Sequence, residues 1–560
     1  MRGQSKTRLF SGITSGAGLS RRAAMLVVTL FAAATAVAGV FSLPPRDRDE
    51  ARFAQATAQM LESGDYIAIR FQDSERNKKP AGIYWLQAAS VATFSDVENR
   101  DIWAYRIPSM IGVAFAALFT FLAGARLYDV RTGFLAGLLL ASAPIVVAEG
   151  GLAKTDGALL ALICLAQYAF AEIYARIQTG EKIGWRWPLA FWAAHGAGIL
   201  VKGPIAPLVS LLTGLGLATG APRFKWITAL KPFTGVLILI LMVGPWTFAI
   251  WQATEGRFFT DAVGGDMLGK VGDAQEGHVG PPGYHVALLW LLFWPAAALI
   301  IPGVVKAWKE RSDWRARFLL SWLIPAWIVF EIAATKLPHY VMPLYPALAI
   351  IAAHGAVAAM RRDWTQKLGA LIYAGAGLAA SAIIALPPVY FSDAPMLATG
   401  FTTGAITAAA TLFVSSLFWR GRPFDGGVAA SFVAAAYAWA LLTMVLPNLS
   451  QLAVSPRLST TLELADRHPL HDGLAPVALA GYSEPSAIFL LGTQTMLGSG
   501  REAATRLTSG AASAAIVEAR EGEAFLAQLK GARVASLAVI DGLNYSNGQD
   551  VSLTIYILAP

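Results

Sequence analysis

Long apolar runs separated by short polar turns fill the chain as far as about residue 447. About 20 apolar residues in helical form cross a bilayer core, so the length of these runs predicts membrane spans. They are expected near 23–43, 104–127, 132–149, 157–176, 187–201, 203–221, 232–252, 284–305, 317–334, 340–360, 368–388, 399–418 and 426–446, about 13 in all. Beyond residue 448 the pattern changes. Short apolar runs predict strands at 477–482, 514–517, around 536–540 and 552–557, alternating with helices near 485–492, 501–508 and 522–530. Such an alternation over 448–560 predicts a small α/β domain.

Two polar segments, 44–103 and 253–283, interrupt the apolar pattern at length. The first opens on Arg46-Asp47-Arg48-Asp49-Glu50-Ala51-Arg52-Phe53, with six ionisable side chains in eight residues. From Asp49 onward Phe53, Thr57 and Met60/Leu61 recur at helical spacing, which predicts an amphipathic interfacial helix with Asp49 or Asp47 as its N-cap. A basic turn, Arg76-Asn77-Lys78-Lys79, then leads to Pro80, which suits the first position of a second interfacial helix. Tyr84 and Trp85 of that helix suit the headgroup belt.

Composition narrows the class. With 56% hydrophobic and 14% charged residues, the chain is too apolar for a soluble globule. The net charge of +8 is explained by inner loops rather than by nucleic acid, because basic residues collect on the cytoplasmic side of membrane proteins. Residues 1–22 are expected to form a cytoplasmic tail carrying Arg2, Lys6, Arg8, Arg21 and Arg22, followed by a transmembrane region over 23–447. From an inner N-terminus, alternate turns hold Arg126/Arg131, Arg176/Lys182/Arg186 and Lys306/Lys309/Arg311, whereas the short outer turns hold only Lys154, Lys202 and Lys336. That arrangement puts 44–103, 253–283 and 448–560 on the periplasmic side of a multi-pass inner-membrane protein. The single Cys164 leaves no disulfide framework and no cysteine metal site. Neither phosphate-cradling nucleotide motif is present in the sequence.

The chemistry-bearing residues share the outer face. Asp49, Glu50 and Arg52 follow the first span; Lys154-Thr155-Asp156, Lys202-Gly203-Pro204 and Lys336-Leu337-Pro338-His339-Tyr340 occupy later outer turns; Asp266, Lys270 and His278 fill the second long segment. Lysines at helix ends commonly snorkel, which explains any one of them alone. Carboxylates with several cations on one face suit a reaction in which a phosphate leaves while a base activates an incoming hydroxyl or amine. A catalyst on that face, with no nucleotide motif, is expected to use a lipid-phosphate donor.

These stretches resemble the bacterial C-type membrane glycosyltransferases, the group of dolichyl-phosphate-mannose protein mannosyltransferases and lipid A aminoarabinose transferases. The resemblance rests on Asp49-Glu50-Ala51-Arg52-Phe53, Met60 to Tyr66, Lys79-Pro80 with Tyr84-Trp85-Leu86, Lys154-Thr155-Asp156, Lys202-Gly203-Pro204 and Lys336 to Pro343. It implies inverting transfer of a sugar from a polyprenyl-phosphate donor to an envelope lipid, glycan or protein. It implies catalytic roles for Asp49 and Asp156, with Glu50 as the adjacent candidate, and donor-phosphate contacts from Lys79, Lys202, Lys336, Arg52 and Tyr340. Tyr84, Asp266, His278 and His339 are loop or acceptor candidates. The aminoarabinose transferases carry a Glu immediately before the loop lysine, where it helps hold a metal with a His of the second long loop. This chain has Lys78 there, so no cofactor is expected to be required, and a divalent metal held by His278 or His285 stays open. A transporter or flippase of lipid-linked sugars is the alternative; it calls for ionisable residues near the midplane and internal repeats, and this chain concentrates its charges at the outer ends.

Overall fold

The computed structural model describes residues 20–559 except 46–47, 221–223, 269–279, 359–363, 393 and 471–473. The apolar runs fold as helices, the conformation that satisfies every backbone N–H and C=O within one segment. Six described helices are long and apolar enough to cross a membrane: Ile102–Leu127, Asp156–Thr179, Pro232–Ala253, Trp364–Phe391, Met396–Trp419 and Pro423–Asn448. Two bent pairs raise the number to eight, Val130–Ala141 with Pro144–Gly150 at 62° and Tyr284–Leu292 with Trp294–Lys309 at 87°. Pro144 and Pro295 sit at these breaks, where a missing N–H interrupts the helical ladder. Ile205–Leu217 and Met342–Val357 are shorter apolar helices.

Close approach of backbones replaces the hydrophobic effect as the organising force inside lipid. A Cβ on Gly112 would lie 2.4 Å from the Gly157 carbonyl oxygen, and one on Gly133 would lie 2.4 Å from that of Phe121. These glycines let Ile102–Leu127 touch both Val130–Ala141 and Asp156–Thr179, with Asp156–Thr179 at the centre of the bundle. By contrast, Pro232–Ala253 turns Phe233, Leu237, Leu241 and Phe248 outward.

The described residues of the segment 44–103 are folded. It comprises the helix Arg48–Ser63, a small hairpin of β1 (Arg70–Phe71) and β2 (Ser74–Glu75), and the helix Gly82–Phe94. Phe53, Thr57 and Met60 are buried as the spacing predicts, and Thr57 donates to the Gln87 side chain at 2.7 Å, joining the two helices. Three local expectations are corrected. Arg48 already belongs to the helix, so Asp49 lies in the first turn rather than at the cap, and Asp47 falls outside the described residues. The second helix starts two residues after Pro80, with Ala81 as its N-cap. Tyr84 is fully buried instead of lying in a headgroup belt, because Phe53 packs against its ring at 5.4 Å.

Beyond the last membrane helix, β3 (Ala478–Ala480), β4 (Met496–Gly498), β5 (Ala515–Glu518), β6 (Val534–Asn544) and β7 (Gln549–Leu558) form one sheet in the order β4-β3-β5-β7-β6. β3 pairs in parallel with β4 and β5, and β7 runs antiparallel to β5 and β6. The helices Val454–Leu464, Pro485–Leu491, Gly500–Thr508 and Gly522–Gln528 accompany it, and apolar clusters cover both faces of the sheet. Phe489 buries its ring with Ala54 and Ala58 of the Arg48–Ser63 helix, so this sheet region rests on the end of the bundle that carries the 44–103 segment.

Candidate active site

The first anchor is a buried ion pair. Glu50, one residue past Asp49, receives Arg106 Nε at 2.7 Å on Oε1 and Nη2 at 2.9 Å on Oε2. The same guanidinium donates to the carbonyls of Val40 at 2.9 Å and Leu43 at 2.6 Å, in the turns that follow the helix Arg21–Ala36. Glu50 Oε1 also accepts the Ala153 N–H at 2.9 Å. With all its bonds made to protein groups and no exposed surface, Glu50 acts as a staple between three segments; the base role considered for it from sequence finds no open oxygen here.

Asp49 points the other way. Successive helix residues are turned by 100°, so a fully buried Glu50 leaves Asp49 at the surface, its side chain half exposed and 3.5 Å from Arg52. Around it stand Phe53, Tyr84 and Arg76, with the Arg76 guanidinium 5.1 Å from the Phe53 ring centre. Burial pushes the Tyr84 phenol above its ordinary pKa, and the adjacent Arg76 charge only partly offsets that, so Tyr84 stays a neutral hydroxyl.

Lys79, partly exposed, donates to the Lys78 carbonyl at 3.1 Å. The turn it occupies is held close to the end of the Arg186–Lys202 helix, because a Cβ on Gly82 would meet the Leu200 backbone at 2.7 Å. That helix ends on Lys202, whose Nζ lies 2.5 Å from Asp156 Oδ1. The Asp156 carboxylate is nearly buried at the start of its own helix and also faces His339 Nε2 at 3.8 Å. His339 Nδ1 reaches Glu149 Oε1 at 3.4 Å, and Lys154 Nζ lies 3.5 Å from Glu149 Oε2. Two carboxylates, two lysines and an imidazole thus form one buried group that joins three turns. Glu149 and Arg106 were not singled out from sequence, since both sit inside apolar runs and their partners His339 and Glu50 lie far along the chain.

Lys336 makes a different contact. Buried beside Tyr284, it donates to the Gly280 carbonyl at 2.9 Å and so ties the end of the second long segment to the turn bearing His339 and Tyr340. His285 strengthens the same tie through Glu331 at 3.0 Å and the Leu337 carbonyl at 3.2 Å. The near end of that segment docks on the first, where Asn77 bridges Glu75 and Asp261 at 3.0 Å each. Tyr340 stacks edge-on against His339. His278, Lys270 and the Asp266 side chain lie outside the described residues. Among the described residues no group of three or more His, Cys, Asp or Glu could hold a metal ion, and both ring nitrogens of His285 are engaged by protein acceptors.

The chain is similar in sequence and fold to known proteins. Residues 78–251 match the dolichyl-phosphate-mannose-protein mannosyltransferase family. The chain is 27% identical over 356 residues to the undecaprenyl phosphate-alpha-4-amino-4-deoxy-L-arabinose arabinosyl transferase of Pseudomonas paraeruginosa, covering 62% of this chain and 63% of that one. The enzyme of the same name from Erwinia tasmaniensis is 26% identical over 413 residues, covering 72% and 71%. Among solved structures, ArnT from Cupriavidus metallidurans bound to undecaprenyl phosphate aligns with a TM-score of 0.72 at 19% identity, over 96% of this chain and 97% of that one. The apo oligosaccharyltransferase of Archaeoglobus fulgidus aligns with a TM-score of 0.51 at 12% identity, over 88% and 69%. The fold is that of the C-type membrane glycosyltransferases. The chain spans 63% of the length of the first curated relative it matches. In this C-type fold the match to ArnT runs through both the helical bundle and the sheet region, since it covers nearly the whole chain.

Proposed function

We propose that this protein is an inverting glycosyltransferase that moves a sugar from a polyprenyl-phosphate donor to a cell-envelope acceptor at the periplasmic face of the inner membrane. The observation that carries the reading is the convergence of Asp49, Arg52, Tyr84, Lys79, Asp156, Lys202, His339 and Tyr340 on one end of a C-type bundle. The relatives' names supply the donor class, an undecaprenyl phosphate, and make an aminoarabinose-like sugar the leading choice; a lipid A-like acceptor follows from the resemblance noted in the sequence.

In this reading the acceptor's proton passes to the Asp49 carboxylate as its heteroatom bonds to the anomeric carbon from the face opposite the phosphate. The bond from that carbon to the phosphate oxygen breaks, and polyprenyl phosphate leaves with one more negative charge. In this scheme Lys79 and Arg52 meet the growing phosphate charge, with Arg76 nearby, while Lys154 and Lys202 are paired with Glu149 and Asp156. Asp156 then orients Lys202 and His339, and Lys336 anchors the turn that carries Tyr340. The site uses no metal in this scheme.

The topology belongs to the same proposal: about 13 spans from a cytoplasmic N-terminus, ending in a periplasmic α/β domain over 448–560. A transporter is disfavoured because the buried ion pairs of the outer face join turns rather than line a midplane path. The test is transfer of sugar from a synthetic polyprenyl-phosphate donor by purified protein, together with mass spectrometry of envelope lipids and glycans from cells with and without the gene. An unchanged envelope and no transfer would overturn the reading.

A further inference from the structure

The sheet region holds the acidic helix at both ends. At the first turn, Arg48 Nε lies 3.6 Å from Glu484 Oε2. Glu484 is itself fixed by the last hairpin, accepting from Asn544 Nδ2 at 3.0 Å and Ser546 Oγ at 3.2 Å. At the last turn, Thr493 Oγ1 donates to Glu62 Oε2 at 2.6 Å and accepts from Gln55 Nε2 at 2.7 Å. Gln72 of the β1–β2 turn completes the joint. Its side chain donates to the carbonyls of Thr493 at 3.2 Å and Thr495 at 2.7 Å, while its backbone exchanges bonds with the Gln59 side chain at 2.7 and 2.8 Å. Between the two ends Phe489 fills the gap, its ring 5.3 Å from that of Tyr105, with Arg100 over its face and paired to Glu62.

These contacts have a common geometry. Glu484 and Thr493 flank the short helix Pro485–Leu491, which lies along the Arg48–Ser63 helix. Rotation of the acidic helix about its axis would break the Arg48 and Gln55 contacts together, while sliding along the axis would break the Glu62 contact. Asp49 sits next to Arg48, inside the clamped turn. The Glu50–Arg106 pair and the Thr57–Gln87 bond already tie this helix to the bundle, and the polar contacts of the sheet region add a second hold at its two ends.

We infer that the C-terminal sheet region is a two-point clamp on the acidic helix, and that Glu484 and Thr493 are positioning residues that set where Asp49 stands. The inference rests on the transferase reading for its kinetic arm only. Full-length protein in detergent carrying Thr493→Val, Glu484→Gln or both is compared with wild type and with Thr493→Ser, which keeps the hydroxyl. Two quantities are read: amide hydrogen exchange across residues 48–63, and kcat and KM with a synthetic polyprenyl-phosphate sugar. Because misplacement by an ångström can cost up to ~10²-fold, the double variant is expected to lose kcat by roughly tenfold with an unchanged donor KM. Exchange should rise in 48–63 while the membrane helices stay protected, and Thr493→Ser should match wild type in both. Unchanged exchange over 48–63 in the double variant overturns the clamp. Faster exchange with wild-type kcat overturns the positioning role. Failure of the wild type to transfer sugar counts against the transferase reading instead, and the exchange measurement still decides the clamp.

Discussion

Arg106 grips Glu50 with two parallel bonds, 2.7 and 2.9 Å long, in a place with no solvent, and the neighbouring Asp49 is left outside. Removing one member of such a pair strands the other charge in an apolar setting, which typically costs about 3–5 kcal/mol. Glu50→Ala and Arg106→Met are therefore expected to lower the melting temperature in detergent and to abolish transfer together. A Glu50→Ala protein with wild-type stability would show that the staple is dispensable.

Asp49 calls for the opposite signature. Replacing its charge while keeping its shape, as in Asp49→Asn, is expected to reduce turnover by roughly 10²-fold or more with unchanged expression and melting, since the residue is half exposed and lies outside the core. Near-normal transfer by Asp49→Asn would return the base role to Asp156.

For Lys79 the decisive comparison is between ammonium and guanidinium. Its charge matters most as the phosphate gains charge in the transition state, so kcat falls along with donor affinity. Lys79→Ala is expected to be almost inactive and Lys79→Arg intermediate, because a planar fork replaces a compact charge. If Ala and Arg both stay near wild type, the lysine only anchors its turn to headgroups.

Glu149 extends the set beyond what the sequence suggested. It faces His339 and Lys154, and through His339 it is linked to Asp156. Glu149→Gln leaves a packed side chain but removes the counter-charge, and turnover is expected to fall by about tenfold. A double-mutant cycle with His339→Asn measures the link: strictly additive losses would mean that the two residues act separately.

The parts of the fold that could be read from sequence are those governed by local period. Phe53, Thr57 and Met60 announced the acidic helix, and the strand positions near 478, 515, 536 and 552 followed from short apolar runs. β4, only Met496–Gly498, was too short and too half-buried to leave a pattern, and Val454–Leu464 was hidden behind the end of the last span. In the candidate site, sequence pointed to the charged residues but not to their contacts. Asp49 and Glu50 look alike in a row of letters; the helix phase and an arginine 56 residues from Glu50 separate them. Glu149 and Arg106 were masked by apolar neighbours, and the bond from Lys336, a phosphate-ligand candidate in the sequence, to the Gly280 carbonyl had no sequence signal.

The pairing of Asp156 with Lys202 also has a consequence for how the protein is made. The two residues are 46 apart in sequence, so at ordinary rates of synthesis the carboxylate emerges roughly 2–9 s before its lysine. A helix that begins with an unpaired acid resists entry into lipid. Asp156–Thr179 is thus expected to linger at the insertion machinery until Arg186–Lys202 arrives, and the two helices to leave it as a unit. A ribosome-stalled chain ending between them would be held there, and Asp156→Asn would release it early.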